Sequence, residues 1–286
     1  MTKEELRKIV EDIEMHGLLQ FRKYDEYLIS NLIENKITFG SAQNFNDPFD
    51  CNLSIDVDSS FSEYIDMVKL SPYVHGQSEE WIKQRARYLY ENQNIFKNDI
   101  RGLILGHRRF TCFNIPEKKP HLKNSLFWAN YANKHRGICM KFSGSILTHY
   151  IENSNWIIQF IPIEYCKDNN IPAFNYIQYK LYEKDINEYK ASQYFYGTKS
   201  KEWAYEYEVR FIYYDAKKID SQYINFEFPT EVLEQIYLGT KITEDEKNVI
   251  LKCLSDKKYD HVDIYKLEMD DKRFKLNDIL IRKGNK

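Results

Sequence analysis

The chain has 286 residues, enough for one large domain or two smaller ones with a substantial core. Its 41 basic and 43 acidic residues give a formal net charge of −2, which excludes a global field that attracts nucleic acid or an anionic membrane. Tyrosine (23) and phenylalanine (17) are abundant while glycine (10) and proline (7) are scarce, so the composition predicts an ordered globular chain without low-complexity linkers.

The first half of the chain alternates short helices and strands. A helix is predicted over residues 3–14, a strand over 18–24, a helix capped by Asp25, and a strand over 36–40. Residues 46–50 then form a turn-rich cluster, N-D-P-F-D, in which Pro48 disfavours helical geometry at Asp47. Residues 60–105 show helical spacing with one charged side, which predicts a helical insertion.

The second half is richer in strands. Strands are predicted over residues 109–113, 137–142, 156–165, 208–214, 234–238 and 262–267. Two helices are expected, one capped by Ser125 that runs to about Asn133, and one over 243–254 that opens with a capping box of Thr243 and Glu246. No repeat or shift in composition divides the chain. We therefore predict a single α+β domain over residues 1–286, with residues 60–105 inserted into it.

The cysteines and the N-terminus indicate the compartment. The five cysteines are scattered singly without a C-x-x-C spacing, a pattern that favours reduced thiols over disulfides or a thiolate zinc site. The first residues lack the apolar core of a signal peptide, and no apolar run approaches membrane-spanning length. We expect a cytoplasmic protein that does not bind a membrane, with its oligomeric state left open.

The stretch W-A-Y-E-Y-E-V-R-F-I, residues 203–212, holds the most informative pair of side chains. As a strand it sets Glu206, Glu208 and Arg210 on one face, with the two carboxylates about 7 Å apart. Two close carboxylates suit an enzyme that binds a sugar hydroxyl and stabilises a sugar cation. The alternative is an outward polar face on which Glu208 pairs with Arg210 or with a neighbouring strand. Spacing alone favours this second interpretation.

Two other segments contain candidate site residues. Asn46, Asp47 and Asp50 supply oxygen atoms that suit a divalent metal, although turn formation and capping explain the same residues. Trp128 and Tyr131 lie three residues apart on one helix face, where they either stack on a planar ring or belong to the core. His135 follows the helix and is suited to capping its carbonyl groups.

Taken in order, these segments resemble a widespread bacterial domain-of-unknown-function family. The shared marks are a Lys-Tyr strand, the N-D-P-F-D turn, an Arg…Cys-Phe strand, W-x-x-Y-A-x-x-H-x-G, and K-x-x-x-W-x-x-E-x-E-x-R. In this sequence they lie at residues 23–24, 46–50, 109–113, 128–137 and 199–210.

The order of parts is also similar, more distantly, to the ADP-ribosyltransferase superfamily. That resemblance implies a mixed or antiparallel sheet core and NAD as substrate. It implies that Glu208 is the catalytic carboxylate and that Glu206 positions the acceptor. The NAD-binding residues that it implies or that accompany its motifs are Arg22, Lys23, Tyr24, Asn46, Asp47, Thr111, Phe113, Trp128, Tyr131, His135 and Arg210. The first motif departs from the usual Arg or His, and the second lacks a Ser-Thr-Ser triplet.

Three functions follow as hypotheses. The resemblance implies an NAD-dependent ADP-ribosyltransferase, a toxin or anti-phage effector that modifies nucleic acid or protein. A module that senses a nucleotide or another ligand without turnover uses the same pocket. A metal-dependent nuclease built on Asp47, Asp50 and the two glutamates is the third hypothesis, and no ligand spacing in the sequence supports it. The first hypothesis requires that the cationic opening strand meets the acidic late strand in one cleft.

Overall fold

The computed structural model describes residues 3–116, 121–168, 170–183 and 188–285. The helices are α1 (Lys3–His16), α2 (Glu26–Glu34), α3 (Phe61–Lys69), α4 (Glu79–Glu91), α5 (Gln93–Gly106), α6 (Ser125–Tyr131), α7 (Gly144–Glu152), α8 (Tyr176–Gln178), α9 (Glu188–Tyr196) and α10 (Glu244–Cys253). The strands are β1 (Leu18–Arg22), β2 (Lys36–Gly40), β3 (Arg108–Asn114), β4 (Ile138–Phe142), β5 (Ile158–Pro162), β6 (Glu164–Tyr165), β7 (Thr198–Lys199), β8 (Glu208–Tyr214), β9 (Tyr223–Glu227), β10 (Leu233–Leu238), β11 (Asp263–Met269) and β12 (Leu276–Arg282).

Ten of these strands form one mixed, largely antiparallel sheet. Its main path runs β12-β11-β10-β4-β1-β3-β2-β9, and β8 joins the sheet by pairing with β3 and β5. Within the part of the chain that the structure describes, β10 and β11 are the one parallel pair of this sheet. Strand β3 is the junction, because β1 meets it at Asn114, β2 meets it at Phe110, and β8 pairs along its whole length. The predicted α+β class is confirmed.

Hydrophobic clusters cover both faces of β8 and thereby bury it. Val209 and Phe211 point into the main core, which also holds Phe113 and Phe142. The next side chain on the opposite face, Ile212, belongs to a second cluster formed with the helices α3, α4 and α5. A third cluster packs Trp128 and Phe127 of α6 against β1 and β4. Polar residues on the second face of β8 therefore lie in the protein interior.

Capping residues set several helix ends as the sequence predicts. The Asp25 carboxylate accepts the N–H of Leu28 at 2.8 Å, and Thr243 and Glu246 form the reciprocal capping box of α10. Helix α6 differs in detail, because the Asn124 side chain accepts the N–H of Leu126 and takes the capping position predicted for Ser125.

The strand predicted from Trp203 is wrong in its first half. Residues 201–203 form a 3₁₀ turn, and the N–H of Glu206 bonds back to the carbonyl of Trp203 at 2.9 Å. Tyr207 has a left-handed backbone (φ 43°), which interrupts extended geometry before β8 starts at Glu208. Within the described residues, no helix has the length and apolar character required to cross a membrane.

Candidate active site

The late motif brings two glutamates to one lysine. Lys199 ends β7, and the 3₁₀ turn that follows reverses the chain so that β8 returns beside it. Lys199 Nζ donates to Glu206 Oε2 at 2.8 Å and to Glu208 Oε2 at 2.6 Å. The turn at Tyr207 thus gives Glu206 and Glu208 a common partner although only Glu208 belongs to the strand. A single ammonium holds both carboxylates close together.

Arg210 connects this pair to the N-D-P-F-D turn. Its Nε donates to Glu208 Oε1 at 2.6 Å, and its two terminal nitrogens bind Asp50 bidentately at 2.7 and 2.6 Å. Lys199 also lies 3.3 Å from Asp50. The Phe45 ring packs over the guanidinium, with 4.8 Å from Cζ to the ring centroid. These three carboxylates and two cations form a single ionic cluster.

The cluster is buried. Glu206 is 2 % exposed, Glu208 5 % and Arg210 0 %. The outward polar face that spacing alone favours for this stretch is therefore wrong, although its pairing of Glu208 with Arg210 is present. With all groups ionised, the three carboxylates outnumber the two cations by one negative charge. Burying such an imbalance is unfavourable, so one carboxyl group is expected to bind a proton readily.

The structure identifies Glu206 as that carboxyl group. Burial and the neighbouring Glu208 carboxylate raise the pKa of Glu206 to about 7, against the opposing effect of Lys199. Burial also acts to raise the pKa of Glu208, but Arg210 and Lys199 outweigh it and hold that pKa well below its ordinary value. Two carboxyl groups whose pKa values are driven apart have different roles at neutral pH.

Neutral hydrogen-bonding side chains complete the surroundings of Glu206 and Glu208. The Tyr131 hydroxyl of α6 donates to Glu206 Oε1. Asn114 of β3 donates to the Glu206 carbonyl at 2.8 Å, and the Glu208 N–H donates to the Tyr165 hydroxyl at 3.0 Å. Burial and Glu206 together raise the pKa of Tyr131, so its phenol stays protonated and remains a donor. Both glutamates are thereby fixed in orientation.

A cavity of about 120 Å³ opens onto the cluster. Its lining combines two phenylalanine rings and the Tyr131 ring with polar side chains: Phe21, Phe45, Asn46, Asp50, Cys112, Asn114, Tyr131, Lys199, Glu206 and Glu208. A second cavity of about 810 Å³ shares Phe45 and Asp50 with it and extends along α5, past Arg101, to Lys218. We call the first the carboxylate pocket and the second the large cavity.

Several candidate residues from the sequence meet here. Asn46, Tyr131, Glu206 and Glu208 line the carboxylate pocket, and Arg210 lies behind it. Asp47 lines the large cavity instead, where its carboxylate accepts the N–H of Phe49 at 3.0 Å and stabilises the turn.

The cationic side chains at the end of β1, Arg22 and Lys23, do not reach the carboxylate pocket. On β1, Phe21 lines the pocket, and because side chains alternate, Arg22 points to the other face of the sheet. The Lys23 side chain is 68 % exposed and pairs with Asp25 at 3.2 Å, and Tyr24 packs against the main core. The cations that meet Glu208 are Lys199 and Arg210, not Arg22 or Lys23.

The remaining candidates lie elsewhere. Thr111 accepts from Gln20 at 2.8 Å and Phe113 is in the main core, because the alternation of β3 turns Cys112 and Asn114 to the pocket instead. Trp128 is fully buried and donates to the Leu122 carbonyl, which fits the core interpretation. His135 lies beside a different groove, described below.

Sequence reasoning did not include Lys199, Cys112 and Asn114 among the site residues, and it considered Asp50 only as a metal ligand or a turn residue. Lys199 and Asp50 both belong to the motifs quoted above. The signal that could have identified them as site residues is their charge beside strands that are otherwise apolar. Within the described residues no group of three or more His, Cys, Asp or Glu side chains is arranged to hold a metal ion.

Comparison with known proteins gives one match. Residues 127–211 match a family described as "Protein of unknown function (DUF2971)". No curated protein and no solved structure matches the chain. The matched segment starts in α6 and ends in β8, so it includes Tyr131, Lys199, both glutamates and Arg210, whereas Asp50 lies outside it.

Proposed function

We propose that the carboxylate pocket is the active site of an NAD-dependent ADP-ribosyltransferase-like enzyme. The observation that supports this best is the glutamate pair on one lysine, with one pKa raised to about 7 and the other lowered. Glycosyl chemistry that passes through a sugar cation uses such a pair, with carboxyl groups about 5–5.5 Å apart in retaining enzymes. The resemblance to the ADP-ribosyltransferase superfamily suggests the N-glycosidic bond of NAD as the bond that is broken. The cations of the opening strand that this hypothesis requires do not reach the cleft, so in this proposal Lys199 and Arg210 take their place beside Glu208.

The two glutamates take different parts in this proposal. Glu208 stays ionised and stabilises the positive charge that develops on the ribose as the nicotinamide–ribose bond breaks. The bonding electron pair leaves with the nicotinamide nitrogen, which becomes neutral. An acceptor hydroxyl or water then bonds to the ribose carbon, and Glu206 takes its proton. A base with a pKa of about 7 is well matched to this task at neutral pH.

The two adjoining cavities suit the two ends of NAD. Ligand sites for whole cofactors measure about 300–1,000 Å³, so the carboxylate pocket, at about 120 Å³, has room for one ring beside Phe21 and Phe45. We assign the ADP portion to the large cavity, where Arg101 of α5 and Lys218 supply positive charge for the diphosphate. This assignment gives the predicted insertion a role in substrate binding.

The decisive test is release of nicotinamide from NAD by the purified protein. Glu206→Gln keeps the size of the side chain and mimics its protonated form, so we expect folding to persist while the rate falls about 10²–10⁴-fold. For the normal protein, the rate should rise as the pH passes through about 7, because Glu206 must be ionised to accept the proton.

The matched control is Glu202→Gln, an exposed glutamate in the same turn. It should leave both the rate and its pH profile unchanged. Full activity of Glu206→Gln, or a rate that falls as the pH rises through 7, would contradict the assignment of Glu206 as base.

One observation favours a second function, ligand sensing without turnover. Both oxygens of Asp50 and both oxygens of Glu208 are already held by Arg210 and Lys199, so these groups are saturated before any ligand binds. A sensor would bind NAD without releasing nicotinamide. Calorimetric titration together with the release assay separates the two functions.

The resemblance also suggests a role as a toxin or anti-phage effector that modifies nucleic acid or protein. Expression of the normal chain in a bacterial host should then arrest growth, and Glu206→Gln should relieve the arrest at equal protein levels. Growth arrest that persists in the Glu206→Gln strain would show that any toxicity has another origin.

A further inference from the structure

A basic groove lies apart from the carboxylate pocket. It has a volume of about 680 Å³ and is bounded by the segment that connects β11 to β12, by the start of α6, and by residues 240–241. Its lining contains five lysine or arginine residues and two aspartates: Lys123, Lys241, Lys272, Arg273, Lys275, Asp270 and Asp271. The groove is therefore positive although the chain as a whole carries a net charge of −2.

Local contacts use little of this positive charge. The Asp270 carboxylate accepts the Lys272 N–H at 2.9 Å and an Asn277 amide N–H at 3.3 Å, so it is committed to the turn. Among the ion pairs of the described residues, the groove contributes Lys123, which lies 3.3 Å from Asp278. The other cations stand beside open space, where an anionic ligand would meet them at small desolvation cost.

An exposed aromatic ring is placed among these cations. Phe274 follows Lys272 and Arg273 and precedes Lys275, and it is 115 % exposed, more than in an extended reference peptide. An apolar ring held fully in water does nothing for folding. Alternation of positive charges with an exposed aromatic ring is the arrangement that binds unpaired bases, since each base offers a face for stacking whatever its identity.

His135 lies in the groove wall. Its Nδ1 is buried and has no hydrogen-bond partner among the described residues, which is rare for a buried polar atom. Burial and the nearby Lys241 lower the pKa of His135, so the ring is neutral near pH 7 and adds no positive charge to the groove.

We propose that the basic groove binds single-stranded nucleic acid, with phosphates on Lys272, Arg273 and Lys275 and a base stacked on Phe274. A duplex keeps its bases stacked within the helix and cannot offer a free face to Phe274. Helix α6 runs from Ser125 at this groove to Tyr131 at the carboxylate pocket, a distance of about 9 Å. Binding here does not depend on NAD chemistry in the pocket.

The experiment is fluorescence anisotropy with labelled 12-nucleotide oligo-dT and oligo-U, compared with a 12-base-pair duplex and a poly-glutamate peptide. Phe274→Ala should weaken binding of the single strands about tenfold through loss of stacking. The double variant Lys272→Glu/Arg273→Glu should weaken binding further and reduce the dependence on salt concentration by about two charges. All these side chains are exposed, so the melting temperature should not change.

The charge-matched control is Lys252→Glu/Lys257→Glu, which reverses two exposed lysines outside the groove. It should change the affinity less than twofold. Equal binding by the normal protein and Phe274→Ala, or tighter binding of the duplex or the peptide than of the single strands, overturns the proposal. Glu206→Gln should bind oligonucleotide normally, so failure of the proposed enzyme activity and failure of this proposal can be told apart.

Discussion

The carboxylate pocket and the basic groove use charge in opposite ways. In the pocket, Glu208, Asp50, Lys199 and Arg210 hold one another in the interior with contacts of 2.6–3.3 Å. In the groove, cations such as Arg273 extend into open space and are exposed. Buried charges must be paired, so their geometry is fixed by the fold, whereas exposed charges stay available to an external partner. The contrast predicts how each region responds to substitution.

The largest effect is expected when the buried cluster loses a cation. Arg210→Met leaves Asp50 and Glu208 without their strongest partner, and unpairing a buried charge costs about 3–5 kcal/mol. Arg273→Met in the groove should change stability by less than about 0.5 kcal/mol. Urea unfolding of the two variants measures this difference directly, and equal losses would show that the cluster contributes no more than a surface residue.

A smaller effect is expected from pH. The folded protein raises the pKa of Glu206 to about 7, so the folded state keeps a proton that the unfolded chain releases near 4.5. Stability should therefore fall by up to ~3 kcal/mol as the pH rises from about 5 to 8. Glu208 acts in the other direction and in another range, because its lowered pKa makes its contribution disappear only below about pH 4.5.

Glu206→Gln separates the contributions of Glu206 and Glu208 to the pH dependence of stability. It should flatten the stability profile between pH 5 and 8 and leave the loss at acid pH in place. Unfolding in urea at several pH values tests this, and a profile for Glu206→Gln that still falls between pH 5 and 8 would assign the titration to another group. Over this same range the proposed activity should rise while stability falls.

The smallest effect is expected from Tyr131→Phe. The tyrosine hydroxyl donates to Glu206 and thereby lowers its pKa, so its loss should raise that pKa and move the pH midpoint of activity upward. The cost in stability should be about 1 kcal/mol for one hydrogen bond. Tyr73→Phe, at a tyrosine that is 82 % exposed, is the control and should shift neither quantity. A midpoint that stays in place would show that Tyr131 does not act on Glu206.

Local signals in the sequence predicted much of the fold. The caps at Asp25 and Thr243 and the strand over residues 36–40 follow from residue preferences that operate over a few positions. The turn at Tyr207 was missed, because a left-handed tyrosine carries no sequence mark and the stretch alternates as a strand would. Strand β12 was also missed.

The candidate site was only partly predictable. The motif around Glu206 and Glu208 contains residues that line the carboxylate pocket, but alternation cannot say which face of β8 is covered. That depends on helices α3–α5, which form the second cluster against this face. The same limit applies to the prediction that Arg22 lies in the site. The face of β1 to which its side chain points depends on how β1 pairs with β3 and β4.

The bond between Arg210 and Asp50 joins positions 160 residues apart, and it has a practical consequence. The segment that matches the family, residues 127–211, contains residues 208–211 of β8 but lacks the rest of that strand, Asp50 and β3, against which β8 lies along its full length. A fragment trimmed to that segment would expose the guanidinium and one whole edge of β8 to water. The segment that matches the family therefore does not coincide with an autonomously folding unit, and the chain should be produced and dissected as a whole.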